Sequence, residues 1–276
     1  MSFILGAKDM ELFEILEKLS VLNRDDGEKF IINDRLDVIK NILESTPYKR
    51  INKTELFHLY SQKSADELKN TSVTVVSSHI DCQTNITKCF STLLDNGLMK
   101  GTYDNSITNA ATVYAMLFKK LPENVIFAFT GDEEKNSNGA IQVVNFLRKS
   151  KIQIEKVIVL DVTDMGWHEE SDFTIENNFW SDEIGSSVIA LAKNSNKKWK
   201  FVPSDVYKIP SYVDMNNVIH FESEPDESWD YDEMNQHCFS LCLPVIGEMH
   251  SNKGVFARQS SFLIYTDFLI KLLCEK

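Results

Sequence analysis

The sequence lacks the features of a multi-domain or membrane protein. It has no Gly/Ser-rich linker, internal repeat or low-complexity tract. No apolar run approaches the roughly 20 residues needed to cross a bilayer. Residues 1–9 become polar and acidic too early for a secretory signal. We therefore expect one domain over residues 1–276, located in the cytoplasm and without a membrane partner.

Basic residues are in short supply. The chain has 29 Lys and Arg against 41 Asp and Glu, which gives a formal net charge of −12. This excess of negative charge argues against nucleic acid or an anionic membrane surface as the main partner. Bound divalent cations would offset part of it.

Cysteine-based cross-links and two common catalytic motifs are also missing. The five cysteines are odd in number and form no C-x-x-C pattern, which predicts reduced thiols instead of a disulfide framework or a structural zinc site. No Gly-rich phosphate loop and no G-x-S-x-G serine motif occurs. The cysteines are Cys82, Cys89, Cys238, Cys242 and Cys274.

What is present is an alternation of strand and helix patterns. With 43% hydrophobic residues, the chain is long enough for a sizeable core. The alternation predicts an α/β fold with three αβα layers and a central mixed, mostly parallel sheet. Residues 1–70 would contribute two helices and a first strand, and residues 164–232 would elaborate the site. The spacing predicts helices at 12–19, 36–43, 105–121, 139–148, 184–192, 234–240 and 256–273, and strands at 56–60, 73–78, 125–130, 157–160 and 241–247.

Metal-type side chains follow the predicted strands. His79, Asp161 and His250 each come at or just after the end of one, and the pair Glu133 and Glu134 follows another. Asp104 precedes a helix. Open α/β sheets bind ligands beyond the carboxyl ends of their strands, so these side chains are expected to converge.

Each residue taken alone has another use. Asp104 could cap the following helix, Asp161 could bond a loop backbone, and His79 could lie in an ordinary loop. Together they offer nitrogen and oxygen ligands for metal, with one glutamate free to act as general base. The joint pattern predicts a metal-dependent hydrolase.

The order of motifs resembles that of the two-zinc exopeptidase superfamily, which includes the bacterial leucyl aminopeptidases. The resemblance spans residues 71–276 through H-x-D, G-x-x-D-N, G-D-E-E, a strand-end L-D and a late histidine. It implies the Zn-dependent exopeptidase (phosphorylase/hydrolase-like) fold, two divalent ions with zinc as the expected metal, and a cis peptide after Asp104. It implies one zinc on His79, Asp104 and Asp161, a second on Asp104, Glu134 and His250, Glu133 as general base, and Asp81 as support for His79.

The number of residues between the motifs indicates which branch of the superfamily the chain resembles. Asp81 and Asp104 are 23 positions apart, too close for the β-rich domain of the large oligomeric aminopeptidases, and the 89 positions from Asp161 to His250 are short for a lid. A compact aminopeptidase acting on peptides, as a monomer or small homo-oligomer, fits best. The residues considered for a substrate pocket are Trp167, Phe179, Trp180, Trp229, His168 and His220, with Tyr212 or Tyr231 for an oxyanion.

Three alternatives remain open at this point. A glutaminyl cyclase shares the fold but uses one zinc, which the pair His79 and Asp161 disfavours. An amidase or deacylase would usually carry the missing lid. A binding protein that has lost catalytic activity would not need to keep all of these candidate metal ligands, so the intact set argues against it.

Overall fold

The computed structural model describes residues 7–52, 54–205, 210–213, 219–221 and 226–275. None of the described helices has the length and apolarity to span a membrane. The elements in chain order are α1 (Ala7–Leu19), β1 (Arg24–Asp25), β2 (Phe30–Ile32), α2 (Asp34–Leu43), β3 (Lys49–Arg50), β4 (Phe57–Ser61), β5 (Ser72–His79), β6 (Ser91–Leu93), β7 (Leu98–Gly101), α3 (Ser106–Phe118), β8 (Val125–Thr130), α4 (Asn138–Lys149), β9 (Gln153–Thr163), β10 (Phe173–Phe179), α5 (Asp182–Asn194), β11 (Trp199–Val202), β12 (Pro210–Val213), β13 (Ile219–Phe221), α6 (Glu227–Glu233), β14 (Cys238–Glu248), β15 (Gly254–Arg258) and α7 (Gln259–Cys274).

Four parallel strands form the centre of the main sheet. They lie in the order β8-β5-β9-β14, and each neighbouring pair is parallel. Antiparallel strands extend the sheet on both sides, through β4 and β3 at one edge and β15, β7 and β6 at the other. The pairs β14–β10 and β10–β11 add a branch. The predicted mixed sheet is confirmed, but parallel pairing is limited to its centre and to the pair β10–β11. Among the described strands of this sheet antiparallel pairs outnumber parallel ones, so the prediction of a mostly parallel sheet is wrong.

Successive residues of the central strands face two separate cores. Val75, Ile126 and Val157 pack with α4 on one face. Their neighbours point to the other face, where α1, α2, α3, α5 and α7 supply the apolar side chains. Because side chains alternate along a strand, strands buried on both faces need the continuous apolar runs seen in the sequence. The result is the predicted three-layer αβα arrangement.

The register brings the candidate residues to one edge. His79 is the last residue of β5 and pairs with Thr130, after which the segment 131–134 begins. Asp161 pairs with Cys242 near the end of β9. His250 follows β14 by two residues.

Two predicted helices are wrong in part. Residues 234–240 are not a helix, because α6 ends at Glu233 and Cys238 already begins β14. Residues 256–258 belong to β15, and α7 starts only at Gln259. In both places apolar residues at helical spacing pair with a strand that is distant in sequence, so tertiary contacts override the local pattern. Strand β10 was not predicted, because the polar residues 176–178 interrupt the alternation of apolar and polar side chains along it.

Candidate metal centre

Six side chains from five segments converge at the carboxyl edge of the sheet. The described residues that could hold a metal ion form three overlapping groups, and every donor atom within a group lies within 4.8 Å of the others. The groups are His79, Asp104 and Asp161; Asp104, Glu134 and His250; and His79, Glu133 and Glu134. The first two match the ligand sets that the resemblance implies.

Asp104 lies between the two histidines and faces each with a different oxygen. Its Oδ1 is 2.9 Å from Nε2 of His79, and its Oδ2 is 3.0 Å from Nε2 of His250. The helix cap is Asn105, without a side-chain cap hydrogen bond, so capping does not explain Asp104. The peptide bond between Asp104 and Asn105 is cis, as the resemblance implies.

One further carboxylate completes each group. Asp161 Oδ1 lies 3.6 Å from His79 Nε2 and also accepts the backbone N–H of Val162 at 2.7 Å. Glu134 Oε2 lies 3.5 Å from His250 Nε2. Both interpretations of Asp161, as a backbone acceptor and as a possible ligand, are therefore compatible with the structure.

Glu133 lies on the His79 side of the centre. Its Oε2 is 3.8 Å from His79 Nε2. Burial, and after it the surrounding carboxylates, raise the pKa of Glu133 well above its ordinary value. A carboxylate that takes up a proton so readily has the property expected of a general base.

Asp81 reaches the far side of the His79 ring. Its Oδ1 is 3.5 Å from Nδ1 of His79, and its Oδ2 accepts the N–H of Glu134 at 3.3 Å. A carboxylate behind a ligating histidine fixes the orientation and tautomer of the ring. Asp81 therefore connects the two strand ends that carry His79 and Glu134.

The electrostatics of the cluster fit a cationic occupant. Burial and neighbouring carboxylates raise the pKa of Glu134 to about 8 and that of Asp161 to about 6. Among the described residues, the buried Oδ1 of Asp104 has no well-oriented hydrogen-bond partner. Like charges held this close are unfavourable unless cations neutralise them. Imidazole and carboxylate donors suit zinc and similar divalent ions.

Polar residues at the start of α3 hold the strand ends and were not identified from the sequence. Asn105 Nδ2 donates to the carbonyl of Leu160 at 2.7 Å, and Asn109 Nδ2 donates to the carbonyl of His79 at 2.9 Å. The available signal was the set of polar residues Asn105, Ser106, Thr108 and Asn109 at the start of an otherwise apolar helix.

A second set of residues supports the segment that carries Glu133 and Glu134. Asp132, at a φ of 63°, donates its N–H to Asp25 Oδ2 at 2.9 Å. The same Asp25 accepts the N–H of Gly27 through Oδ1 at 2.9 Å. The N-terminal hairpin of β1 and β2 thus holds the turn in place. No sequence pattern linked Asp25 to this turn.

The four aromatic residues considered as pocket walls make other contacts. Phe179 packs edge-on against Trp229 with ring centroids 5.1 Å apart, and Trp180 stacks on Phe201. Trp167 lies under the guanidinium of Arg258. The observed contacts of these residues are therefore with one another and with neighbouring side chains.

The remaining candidates lie outside the cluster. Tyr231 is fully buried and donates to Ser77 Oγ at 3.0 Å, so the proposed oxyanion role for it is wrong. His168 is exposed. The side chains of Tyr212 and His220 lie outside the described part of the chain.

Comparison of sequences identifies one family. The profile of peptidase family M28 matches residues 60–215, more than half of the chain, and this range includes four of the five candidate ligands. No curated protein sequence gives a significant match.

Solved structures share the fold at low sequence identity. A TET aminopeptidase from a marine sediment thaumarchaeon has 11% identity and a TM-score of 0.71, with 98% of this chain and 97% of that chain covered. An aminopeptidase from Desulfurococcus kamchatkensis has 8% identity and a TM-score of 0.70, with 98% and 96% covered. The TET1 peptidase of Pyrococcus horikoshii, which can assemble into a tetrahedron or a large octahedral shell, has 11% identity and a TM-score of 0.67, with 97% and 100% covered.

Proposed function

The chain belongs to peptidase family M28 and is therefore a metal-dependent peptidase, and we propose that it is an aminopeptidase that uses two divalent ions, with zinc as the expected metal. The observation that carries the proposal is the position of Asp104, whose two oxygens face His79 and His250 at 2.9 and 3.0 Å. A carboxylate with each oxygen directed to a separate donor group has the arrangement needed to bridge two metals roughly 3.5–4 Å apart.

The ligands divide into two sets around that bridge. His79, Asp104 and Asp161 would hold one ion, and Asp104, Glu134 and His250 the other. When bound, the ions would polarise the scissile carbonyl and acidify the attacking water.

Proton transfer falls to Glu133. In this proposal its carboxylate accepts a proton from the attacking water and passes it to the leaving amine. Burial and adjacent carboxylates raise the pKa of Glu133. The raised pKa favours the protonated Glu133 side chain, which must hold the proton until it passes to the leaving amine. Asp81 is a positioning residue, because it contacts His79 Nδ1 and the Glu134 backbone and would not touch the substrate.

A pocket next to the cluster would accept part of the peptide. Asp104, Glu134 and His250 line it, together with the apolar residues Ile86, Met249 and Val255. An apolar side chain next to the scissile bond suits this lining. Peptides with apolar N-terminal residues are therefore the proposed substrates.

We also propose a cytoplasmic monomer or small homo-oligomer. Between Asp81 and Asp104, where the resemblance would place an inserted domain of the large oligomeric aminopeptidases, the chain forms only the short strands β6 and β7. The free cysteines are compatible with a reducing compartment.

The proposal is tested by metal analysis combined with activity. The purified protein is assayed for metal content and for hydrolysis of aminoacyl-nitroanilides, before and after chelation. About two metals per chain with chelator-sensitive release is the expected result. One metal per chain with conversion of glutaminyl peptides to pyroglutamate would point to a cyclase. Two metals without release from any peptide would favour an amidase or a binding protein.

A further inference from the structure

Two thiols lie close together beside the metal centre. Cys82 directly follows Asp81, and its Sγ is 3.8 Å from the Sγ of Cys89. Cys82 is buried and Cys89 is partly exposed. Both sulfurs are reduced in this structure. The segment 82–89 that joins them contains no helix or strand.

A buried positive charge faces both sulfurs. The side chain of Arg35 is fully buried, and its Nη2 lies 3.4 Å from Cys82 Sγ and 3.9 Å from Cys89 Sγ. Its other donors bond the carbonyls of Leu19 and Ile80. Within the described part of the chain no carboxylate forms an ion pair with Arg35. A buried guanidinium needs a negative partner, and the two thiols are the ionisable side chains that its Nη2 contacts.

We propose that Cys82 and Cys89 form a redox modification site, in which mild oxidation by a peroxide joins them in an intramolecular disulfide that a dithiol reopens. Cys82 is the attacking sulfur, because it lies closer to the Arg35 guanidinium than Cys89 does. The hydrogen bond with Cys89 and the charge of Arg35 lower the pKa of the Cys82 thiol in spite of burial. A thiolate is the nucleophilic form of cysteine. The site does not depend on the proposed peptidase activity.

The chemistry is balanced with hydrogen peroxide as the oxidant. The Cys82 thiolate attacks one peroxide oxygen, the O–O bond breaks, and the departing hydroxide takes a proton to become water. This leaves Cys82 as a sulfenic acid. The Cys89 sulfur then attacks the Cys82 sulfur, the S–O bond breaks, and the hydroxyl leaves as water with the Cys89 proton. Two thiols lose two electrons and the peroxide gains them.

The connecting segment also holds the turn that carries His250. Asn85 Nδ2 donates to the His250 carbonyl at 2.6 Å, and Asn252 Oδ1 accepts the N–H of Thr87 at 2.9 Å. Gln83 Nε2 reaches the Glu134 carbonyl at 3.4 Å. A disulfide requires the sulfurs to approach to about 2.05 Å. The movement is therefore expected to displace the backbone that presents His250 and Glu134.

Trypsin provides a direct test, since Lys88 separates the two cysteines. Cleavage after Lys69, Lys88 and Lys100 puts Cys82 and Cys89 on different peptides, so the disulfide appears as a cross-linked pair of peptides. Two samples of the full-length protein are prepared, one free of metal and one loaded with zinc. Each is treated with hydrogen peroxide, alkylated, digested with trypsin and analysed by mass spectrometry. We expect the cross-linked pair, its loss after dithiothreitol, and at least about tenfold weaker zinc binding in the oxidised protein.

Matched variants separate this site from general oxidation. Cys82→Ser and Cys89→Ser should each abolish the cross-linked pair, and Cys274→Ser, at an exposed cysteine near the C-terminus, should retain it. Arg35→Lys, which keeps a positive charge, should form the disulfide, whereas Arg35→Met should form it more slowly. Accumulation of Cys82 sulfinic acid without the cross-linked pair would overturn the proposal. Unchanged zinc binding after the disulfide forms would overturn its coupling to the centre.

Discussion

Glu133 and Glu134 are adjacent in sequence yet occupy different positions in the centre. Glu134 lies 3.5 Å from His250, within the group that includes Asp104. Glu133 is instead 3.8 Å from His79. Since successive residues in a turn point in different directions, one carboxylate can ligate while its neighbour handles protons. The two side chains should therefore respond differently to the same substitution.

Glu133→Gln should reduce kcat by about 10²–10⁴-fold, the usual contribution of a general acid–base group. The metal content should stay at the wild-type level, because the amide removes the proton acceptor and leaves the proposed ligands in place. Turnover of an aminoacyl-nitroanilide and metal content by elemental analysis are measured on the same sample.

Glu134→Gln serves as the matched control and should lower the metal content. Equal metal loss in both variants would assign Glu133 to ligation, an outcome compatible with the group formed by His79, Glu133 and Glu134.

Short elements that are far from the candidate ligands in sequence support the turn that carries Glu133 and Glu134. The hairpin of β1 and β2 reaches the turn after β8 through Asp25, which accepts the Asp132 N–H. The space next to the Cα of Gly131 is filled by Phe30, whose ring atom would lie 2.5 Å from an added Cβ. Gly131 is therefore required for the close approach of the hairpin. The hairpin and the turn behave as one packed unit.

Asp25→Ala should lower kcat by roughly threefold to tenfold, since losing a hydrogen bond to a backbone amide costs about 1 kcal/mol. The metal content should be unchanged. Asp26→Ala is the matched control, because exposed Asp26 bonds only to the turn amides of Glu28 and Lys29. Equal losses of activity in both variants would mean that the hairpin as a whole, and not its contact with Asp132, matters.

At the scale of the whole molecule, buried ionisable groups make stability depend on pH. Burial, with Arg50 and Lys40 nearby, lowers the pKa of His58 in β4 to about 3 from its ordinary 6.5. Between those values the unfolded chain binds a proton that the folded protein does not. The contribution of neutral His58 is thus present above pH 6.5 and is lost as the pH falls toward 3.

His58→Phe should therefore flatten the acid side of the stability profile. The aromatic ring can keep the contacts with Phe30 and Tyr60, and it cannot be protonated. Urea unfolding midpoints at pH 7.5 and pH 5 should differ less in this variant than in the wild type. His168→Gln, at an exposed histidine, should leave the difference unchanged. A His58→Phe profile parallel to the wild type would contradict the assignment.

Metal binding should stabilise the entire fold, because the ligands come from strands across the sheet. With free zinc at about 1,000 times its Kd, linkage adds about 4 kcal/mol, or roughly 10 °C in Tm for a chain of this size. Differential scanning calorimetry with and without chelator measures the shift. The Glu133→Gln variant should show the same increase in Tm on zinc binding. The Asp104→Asn variant should lose most of this increase. Equal shifts in both would place the zinc elsewhere.

The sequence by itself determined the α/β alternation, the types of the candidate ligands and their order. These features are local: apolar runs reveal strands buried on both faces, and a carboxylate or histidine at a strand end is visible without a structure. Two of the boundaries it predicted, near Cys238 and Gln259, were wrong because strand pairing overrode the local pattern.

Only the tertiary structure decided which groups support the centre. Asp25 meets Asp132 across 107 positions, and Asn85 meets His250 across 165. Arg35 reaches the two thiols by crossing from α2 to the segment after β5. Neither periodicity nor motif spacing encodes such contacts, since they depend on how distant elements pack. Hydrogen bonds and buried charges are satisfied only after that packing is complete.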